Sequence, residues 1–269
     1  MSPKGPQTRA RQRAIDTARV SVSPFVDHLR IHGTFNYRDI GGLRTRDGAT
    51  VRSGVLLRSA QLSRLDESGH AVLRELGVTD VHDLRGSDEI AHMGHDRLPP
   101  DIRLTVTPFD SGMGAAPPHQ ARTDTALGYM LEVYRMFPAR PEAHAAIVAI
   151  AQSIVRGDGA VLVHCAAGKD RTGWAIATLL RAVEVTEADV LADYLLSNGA
   201  VATLRAMMSE RLGPDHHLAD DLLGVSEEYL RSATDAVVEL HGEFDSYLTA
   251  VGLTPDLRTA LRERLIGSV

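Results

Sequence analysis

Residues 161–180 restrict the possible fold more than any other part of this chain, and they read VLVHCAAGKDRTGWAIATLL. Three apolar residues lead into His164 and Cys165, five residues separate Cys165 from Arg171, and a helix-favouring run follows at once. This pattern predicts a buried strand, a tight loop and the first turn of a helix. Such a loop points several backbone N–H groups inward, and the helix dipole adds partial positive charge, so the loop suits an anion the size of phosphate.

Cys165 and Arg171 place a nucleophile and a cation at this predicted anion site. The same dipoles favour the thiolate form of Cys165, and a planar guanidinium fits two oxygens of a phosphoryl group. An inert core cysteine is the alternative, but that reading leaves the arginine and the glycine of the loop unexplained. The pattern therefore predicts a cysteine-dependent phosphatase, in which a phosphocysteine forms and water hydrolyses it. The predicted substrate-binding residues are Ala166, Ala167, Gly168, Lys169, Asp170 and Arg171.

Composition limits the classes of protein to which the chain can belong. The net charge is −6, which argues against a nucleic-acid partner. With Cys165 as the single cysteine, no internal disulfide forms and a zinc cage is disfavoured. No apolar run reaches transmembrane length, and the basic N-terminus has no apolar core of the kind that a signal peptide needs. We expect a disordered basic tail over residues 1–24, and a protein that is cytoplasmic or exported without a cleavable signal peptide.

Strand and helix patterns alternate before Cys165, and only helical patterns follow its loop, which predicts an α/β domain with a helical C-terminal half. Residues 25–269 are expected to form this single domain. Strands are predicted near residues 32–42, 55–58, 78–84, 102–106 and 160–164. Helices are predicted at 65–76, 127–137, after Pro141, 186–196, 201–211, 226–248 and 255–265, and residues 111–125 are predicted to be a loop rich in Gly, Ala and Pro.

The decapeptide HCAAGKDRTG at residues 164–173 resembles the phosphate-binding loop of protein tyrosine phosphatases, most closely that of the bacterial tyrosine and lipid phosphatases of the mycobacterial type. Five further segments resemble that branch in the same order: FNYRD at 35–39, LRSAQLSRL at 57–65, TDVHDLR at 79–85, ADYLLSN at 192–198 and GVSEEYL at 224–230. The resemblance implies a mixed, mainly parallel sheet flanked by helices and a helical lid within residues 199–225. It also implies phosphoprotein or phosphoinositide substrates and hydrolysis without a metal or other cofactor.

The acid that protonates the leaving group does not have its usual sequence signature in this chain. Many tyrosine phosphatases carry this acid on a separate loop that contains a tryptophan, but the single tryptophan here, Trp174, directly follows the catalytic loop. We rank Asp170 first as the donor, because it lies inside the loop. Asp83, at a predicted strand end, ranks second and Asp110 third, and structural capping is an equal alternative for both.

The remaining polar residues near the loop each allow two interpretations. Lys169 adds a second cation, which favours substrates more anionic than one phosphate monoester, such as phosphoinositides; alternatively it is a solvent-exposed lysine. Arg58 and Arg85 could extend a basic pocket or form ordinary ion pairs. Thr172 could begin the helix or donate its hydroxyl to sulfur. His164 is expected to orient the loop rather than to act as a base.

Two other functions compete with phosphate hydrolysis. A phosphate-binding pseudophosphatase would recognise a phosphorylated partner without turnover, but the presence of both Cys165 and Arg171 argues against it. Sulfur transfer of the rhodanese type would use a loop cysteine and gives no reason for Arg171. The acidic and histidine-containing stretch at 215–221 matches no strong metal motif and is expected to be an exposed loop.

Overall fold

The computed structural model describes residues 31–109, 125–212 and 219–267, and within these ranges five strands form one sheet. The strands are β1 (Arg38–Asp39), β2 (Leu56–Ser59), β3 (Val78–Asp83), β4 (Arg103–Val106) and β5 (Ala160–His164). Their order across the sheet is β1-β2-β5-β3-β4. Only the β1–β2 pair is antiparallel, and the other three pairs are parallel. The prediction of a mixed, mainly parallel sheet is confirmed.

Helices flank this sheet and make up the part of the described chain that follows β5. They are α1 (Glu67–Glu75), α2 (Ser87–Met93), α3 (Ala126–Met136), α4 (Pro141–Arg156), α5 (Asp170–Ala182), α6 (Glu187–Leu195), α7 (Val201–Leu212), α8 (Asp220–Leu223), α9 (Glu227–His241), α10 (Phe244–Val251) and α11 (Pro255–Leu265). Short 3-10 turns occupy Phe137–Ala139 and Leu196–Ala200. Within the described ranges, no helix is both long and apolar enough to cross a bilayer. The predicted helical C-terminal half is confirmed.

The hydrophobic core has two parts, one on each face of the sheet, and the central strand β5 contributes side chains to both. Its side chains alternate between the two faces of the sheet, as in any strand. Val161 and Val163 belong to a large cluster with α3, α4, α5 and the C-terminal helices. Leu162 belongs to a smaller cluster on the opposite face, where Leu73 of α1 also packs. All five residues of β5 are buried, as expected for a strand covered on both faces.

The structure differs from the sequence prediction in one divided helix and in two helices that the sequence did not predict, α2 and α8. Asp220 and Asp221, which were expected to lie in an exposed loop, are exposed but belong to α8. The predicted helix 226–248 is divided into α9 and α10, because Gly242 adopts a positive φ of 80° that a continuous α-helix does not allow. Helix α2 was not predicted; it begins after Gly86, whose N–H donates to the Glu89 carboxylate. The tail at 1–24 and most of the loop at 111–125 lie outside the described residues.

The parallel strands bring polar residues from distant parts of the chain to one edge of the sheet. Ser59 at the end of β2 pairs with His164 at the end of β5, and Asp83 at the end of β3 pairs with the same residue from the other side. In open α/β sheets, ligands bind outside the carboxyl ends of the strands. The loop that follows His164 therefore begins at the position where such a fold places its functional site.

Burial of β5 gives a direct test of this packing. We expect Leu162→Ala to lower the free energy of unfolding by about 2–5 kcal/mol, since the removed side chain is fully buried. Leu104→Ala on the edge strand β4 is the matched control, because Leu104 is 42% exposed, and a change of about 0.5 kcal/mol or less is expected there. Urea denaturation of both variants measures the difference, and equal losses would contradict the described sheet order.

Candidate active site

The loop between β5 and α5 turns its peptide carbonyls outward. The Ala167 and Gly168 carbonyls each accept a hydrogen bond from Asn36 Nδ2 at 3.0 Å, and Gly168 O also accepts one from Arg58 Nη2 at 2.7 Å. The C=O and N–H of a trans peptide point in opposite directions. The N–H groups of Gly168 and Lys169 therefore face the inside of the loop, and they donate to no acceptor within the described part of the chain. Inward N–H groups without an acceptor are the backbone arrangement that the predicted anion site requires.

Gly168 is required for the loop to approach the sheet this closely. Its φ is +67°, and a Cβ built on it would lie 2.0 Å from the carbonyl oxygen of Ser59 at the end of β2. Any larger residue would have to displace the backbone of one of the two segments.

A buried group of charged residues supports the loop from behind. Arg58 Nη1 donates to Asp193 at 2.6 Å, and Arg38 Nε donates to the other oxygen of the same carboxylate at 2.7 Å. Arg38 also donates to Asn36 Oδ1 at 2.7 Å. Burial alone would raise the pKa of Asp193, but the charges of the two arginines outweigh it and hold this pKa below its ordinary value. Arg58 therefore forms a structural ion pair and does not extend the basic pocket.

The two central catalytic candidates, Cys165 and Arg171, lie at opposite ends of the loop and are 2% and 4% exposed. Glu89 binds the Arg171 guanidinium through both carboxylate oxygens, with Nη–O distances of 2.5 and 2.6 Å. Burial would lower the pKa of Arg171, whereas the Glu89 hydrogen bonds and the charge of Cys165 raise it above its usual range. Arg171 Nε is buried with no hydrogen-bond partner among the described residues. The Nη edge of the guanidinium thus contacts Glu89, and Nε is available to an anion.

Glu89 is a site residue that the sequence analysis missed. It lies in the first turn of the unpredicted helix α2, so no motif pointed to it. Burial would raise the pKa of Glu89, but the Arg171 hydrogen bonds and charge hold it below its ordinary value. The ion pair fixes the orientation of the guanidinium toward the loop.

Asp170 and Lys169 contact each other at the entrance to α5. Asp170 Oδ1 accepts a hydrogen bond from Tyr134 OH at 2.8 Å, and Lys169 Nζ lies 3.1 Å from Asp170 Oδ2. Lys169 is 6% exposed and Asp170 4%. The alternative in which Lys169 is a solvent-exposed lysine is therefore wrong. Asp170, the first-ranked proton donor, lies in the same loop as Cys165 and Arg171.

Asp83, the second-ranked donor, is placed differently. Both of its carboxylate oxygens accept hydrogen bonds from Arg85, and both side chains are essentially inaccessible. Arg85 Nη2 also binds Asp96 at 2.8 Å, and His164 Nε2 contacts the other Asp96 oxygen at 2.7 Å. These acidic groups and His164 lie within metal-ligand distance of one another, but the Arg85 guanidinium already supplies the cation. In this arrangement Arg85 engages both oxygens of Asp83, and Asp96 links Arg85 to His164.

Of the remaining residues that the sequence analysis considered, Thr172 is described by the structure and the others are not. Thr172 is the third residue of α5 rather than its cap, and its buried Oγ1 makes no hydrogen bond within the described chain, to sulfur or otherwise. Asp110, the third-ranked donor, and residues 215–217 lie outside the described residues.

Residues 219–225 cover the loop. Lys169 Nζ donates to the carbonyls of Leu222 at 2.9 Å and Gly224 at 3.0 Å. Asn198 forms a reciprocal pair with Val225, donating to its carbonyl at 2.9 Å and accepting from its N–H at 2.8 Å. Leu223 of α8 is 3% exposed. Together with the low exposure of Cys165, these contacts describe a closed site.

Comparisons with known proteins agree with this geometry. A sequence profile described as the tyrosine phosphatase family matches residues 29–267. The chain is 36% identical to the triple specificity protein phosphatase PtpB of Mycobacterium tuberculosis, over 87% of this chain and 98% of that protein. It is 35% identical to a putative tyrosine-protein phosphatase of Cupriavidus necator, over 79% of this chain and 80% of that protein.

A solved structure, TpbA of P. aeruginosa, is 18% identical and covers 76% of this chain and 90% of its own, with a TM-score of 0.36, and at that score it adds nothing to the assignment. The sequence profile and the two relatives cover most of the chain and confirm the resemblance found in its motifs. The chain belongs to the tyrosine phosphatase family and is a phosphatase.

Proposed function

We propose that this protein hydrolyses phosphotyrosine, phosphoserine or phosphothreonine, and phosphoinositides through a phosphocysteine intermediate on Cys165. The observation that carries the proposal is the loop itself, whose N–H groups face inward between the buried thiol of Cys165 and Arg171, whose Nε has no hydrogen-bond partner among the described residues. Such a set of fixed donors stabilises charge on equatorial phosphoryl oxygens as the transition state forms.

In the first step, Cys165 Sγ attacks phosphorus in line with the ester oxygen. The S–P bond forms as the P–O bond breaks, and Asp170 gives its proton to the leaving oxygen. Arg171 and the loop N–H groups bind the three equatorial oxygens throughout. The products of this step are the free alcohol or phenol, the phosphocysteine and the Asp170 carboxylate.

In the second step, water replaces the leaving group. The Asp170 carboxylate accepts a proton from this water as its oxygen attacks phosphorus, and the S–P bond breaks to release inorganic phosphate and the Cys165 thiolate. Asp170 thus ends the cycle protonated again. The assignment of Asp170 is supported by its position in the loop and by the ion pair that engages Asp83.

The proposal also states which classes of phosphate ester the protein accepts as substrates. The M. tuberculosis relative is named a triple specificity phosphatase, and Lys169 gives this loop a second cation that suits a multiply charged headgroup. Since Lys169 Nζ binds the carbonyls of Leu222 and Gly224, we infer that residues 219–225 move away before substrate enters, which releases the ammonium group. This segment falls within residues 199–225, the region that is predicted to form a lid.

Removal of the nucleophile tests the reaction class. Cys165→Ser is expected to abolish hydrolysis of p-nitrophenyl phosphate in the presence of a chelator, because the hydroxyl is a far weaker nucleophile at this site. Arg171→Ala should also abolish turnover and should weaken the binding of vanadate, measured directly, whereas Cys165→Ser should still bind phosphate. A wild-type protein that binds vanadate and shows no turnover would instead support the pseudophosphatase alternative.

The proton donor is tested by the choice of leaving group. We expect Asp170→Asn to lower kcat/KM about a hundredfold for phenyl phosphate, whose leaving group needs a proton. The loss should be much smaller for p-nitrophenyl phosphate. Asp83→Asn is the comparison variant; if it alone showed the leaving-group dependence, the assignment of Asp170 would be refuted.

Lys169 tests the specificity for lipid headgroups. Lys169→Ala should lower kcat/KM for phosphoinositides about tenfold more than for a phosphotyrosine peptide, because a charge-assisted hydrogen bond to a second phosphate is lost. Lys169→Arg, which keeps the charge, is the control. Equal losses on both substrates would contradict the proposed role of Lys169 in specificity.

A further inference from the structure

A chain of two tyrosine hydroxyls leads to Asp170 through the interior of the protein. Tyr134 OH on α3 lies 2.8 Å from Asp170 Oδ1, and Tyr194 OH on α6 lies 2.7 Å from Tyr134 OH. Tyr134 is fully buried and Tyr194 is 1% exposed. Neither hydroxyl has a role in the reaction steps described above.

The direction of these hydrogen bonds follows from the number of protons available. A carboxylate oxygen can only accept, so Tyr134 must donate its single proton to Asp170. The Tyr134 oxygen can then only accept, and Tyr194 donates to it. Tyr134 therefore donates to Asp170 Oδ1, to which Lys169 Nζ also donates at 3.3 Å. Because Nζ lies 3.1 Å from Oδ2 as well, Oδ2 can carry the proton that Asp170 transfers once Lys169 turns to the substrate.

We propose that Tyr134 is a positioning residue that holds Asp170 in its proton-donating orientation and that Tyr194 supports it. This inference rests on the proposed role of Asp170 as proton donor. As the carboxyl group gives up its proton, negative charge develops on it, and the hydrogen bond from Tyr134 becomes charge-assisted and roughly twice as strong. The interaction is thus stronger in the transition state for proton transfer than in the protonated ground state, and this difference contributes to rate.

The surroundings of Tyr134 keep its proton in place. Burial, and then the negative charge of Asp170, raise the pKa of Tyr134 well above its usual range. Lys169 faces Asp170 from the loop, and Tyr194 and Tyr229 face Tyr134 from α6 and α9. With a phenol that stays neutral, Tyr134 remains a hydrogen-bond donor throughout the cycle.

Replacing Tyr134 by phenylalanine removes the hydroxyl and keeps the ring, so it tests the positioning of Asp170 separately from the packing of the ring. The Tyr134 ring packs against Phe137 at a centroid distance of 4.8 Å and against Tyr229 at 5.5 Å, and Tyr134→Phe retains both contacts. The experiment measures kcat/KM for a series of aryl phosphates from p-nitrophenyl to phenyl phosphate. We expect Tyr134→Phe to lose about tenfold on phenyl phosphate and progressively less as the leaving group becomes less basic. Tyr194→Phe should show the same trend with about a twofold loss.

Two further variants separate the possible outcomes. Tyr247→Phe removes another fully buried tyrosine hydroxyl, on α10, and should leave the whole series unchanged. If Asp170→Asn shows a steeper leaving-group dependence and Tyr134→Phe has the wild-type slope, the positioning role is overturned while the acid assignment stands. A wild-type slope in Asp170→Asn overturns both. If Tyr134→Phe does not fold, a wild-type slope in Tyr194→Phe overturns the proposal.

Discussion

Two hydrogen-bond donors, Asn36 and Arg58, hold the carbonyls of the β5–α5 loop away from its centre, and the anion site depends on them. Both donors come from strands or turns that precede the loop by more than a hundred residues. The sheet order β1-β2-β5 brings them beside it. Asp193 and Arg38 fix Arg58 and Asn36 in turn. Because a buried arginine without its partner is strongly destabilising, this support links the shape of the loop to the stability of the fold.

In the closed arrangement, the charged side chains of the site satisfy one another. Arg171 binds Glu89, Asp170 binds Tyr134 and Lys169, and Lys169 also binds the carbonyls of residues 222 and 224. These pairings offset the cost of burying charge. A phosphate group brings its own negative charge, which can compensate Arg171 Nε and the loop N–H groups. In the proposed function, Lys169 in addition exchanges the carbonyls of residues 222 and 224 for the substrate.

The sequence was sufficient to predict the local elements of the site but not its long-range partners. Strand β5, the loop and α5 follow from short-range periodicity and from the glycine at residue 168, and the structure has them where they were predicted. Glu89 and Tyr134 lie in no recognised motif, and Asn36 lies in the FNYRD segment without a predicted role, because the roles of all three depend on contacts with distant parts of the chain. The alternatives for Lys169 and Arg58 likewise could not be resolved before their buried partners were known. Asp83 is a strand-end carboxylate in sequence, and its ion pair with Arg85 becomes visible only in the structure.

The central claim, covalent transfer of phosphate to Cys165, is tested most directly by trapping the intermediate. Wild-type protein and the Cys165→Ser variant are mixed with an aryl phosphate, quenched rapidly in acid, digested and analysed by mass spectrometry under conditions that preserve thiophosphate esters. The account predicts one phosphoryl group on the peptide that contains Cys165 in the wild type and none in the variant. Steady turnover by the wild type with the phosphoryl group on another residue, or turnover by Cys165→Ser at the wild-type rate, would contradict it.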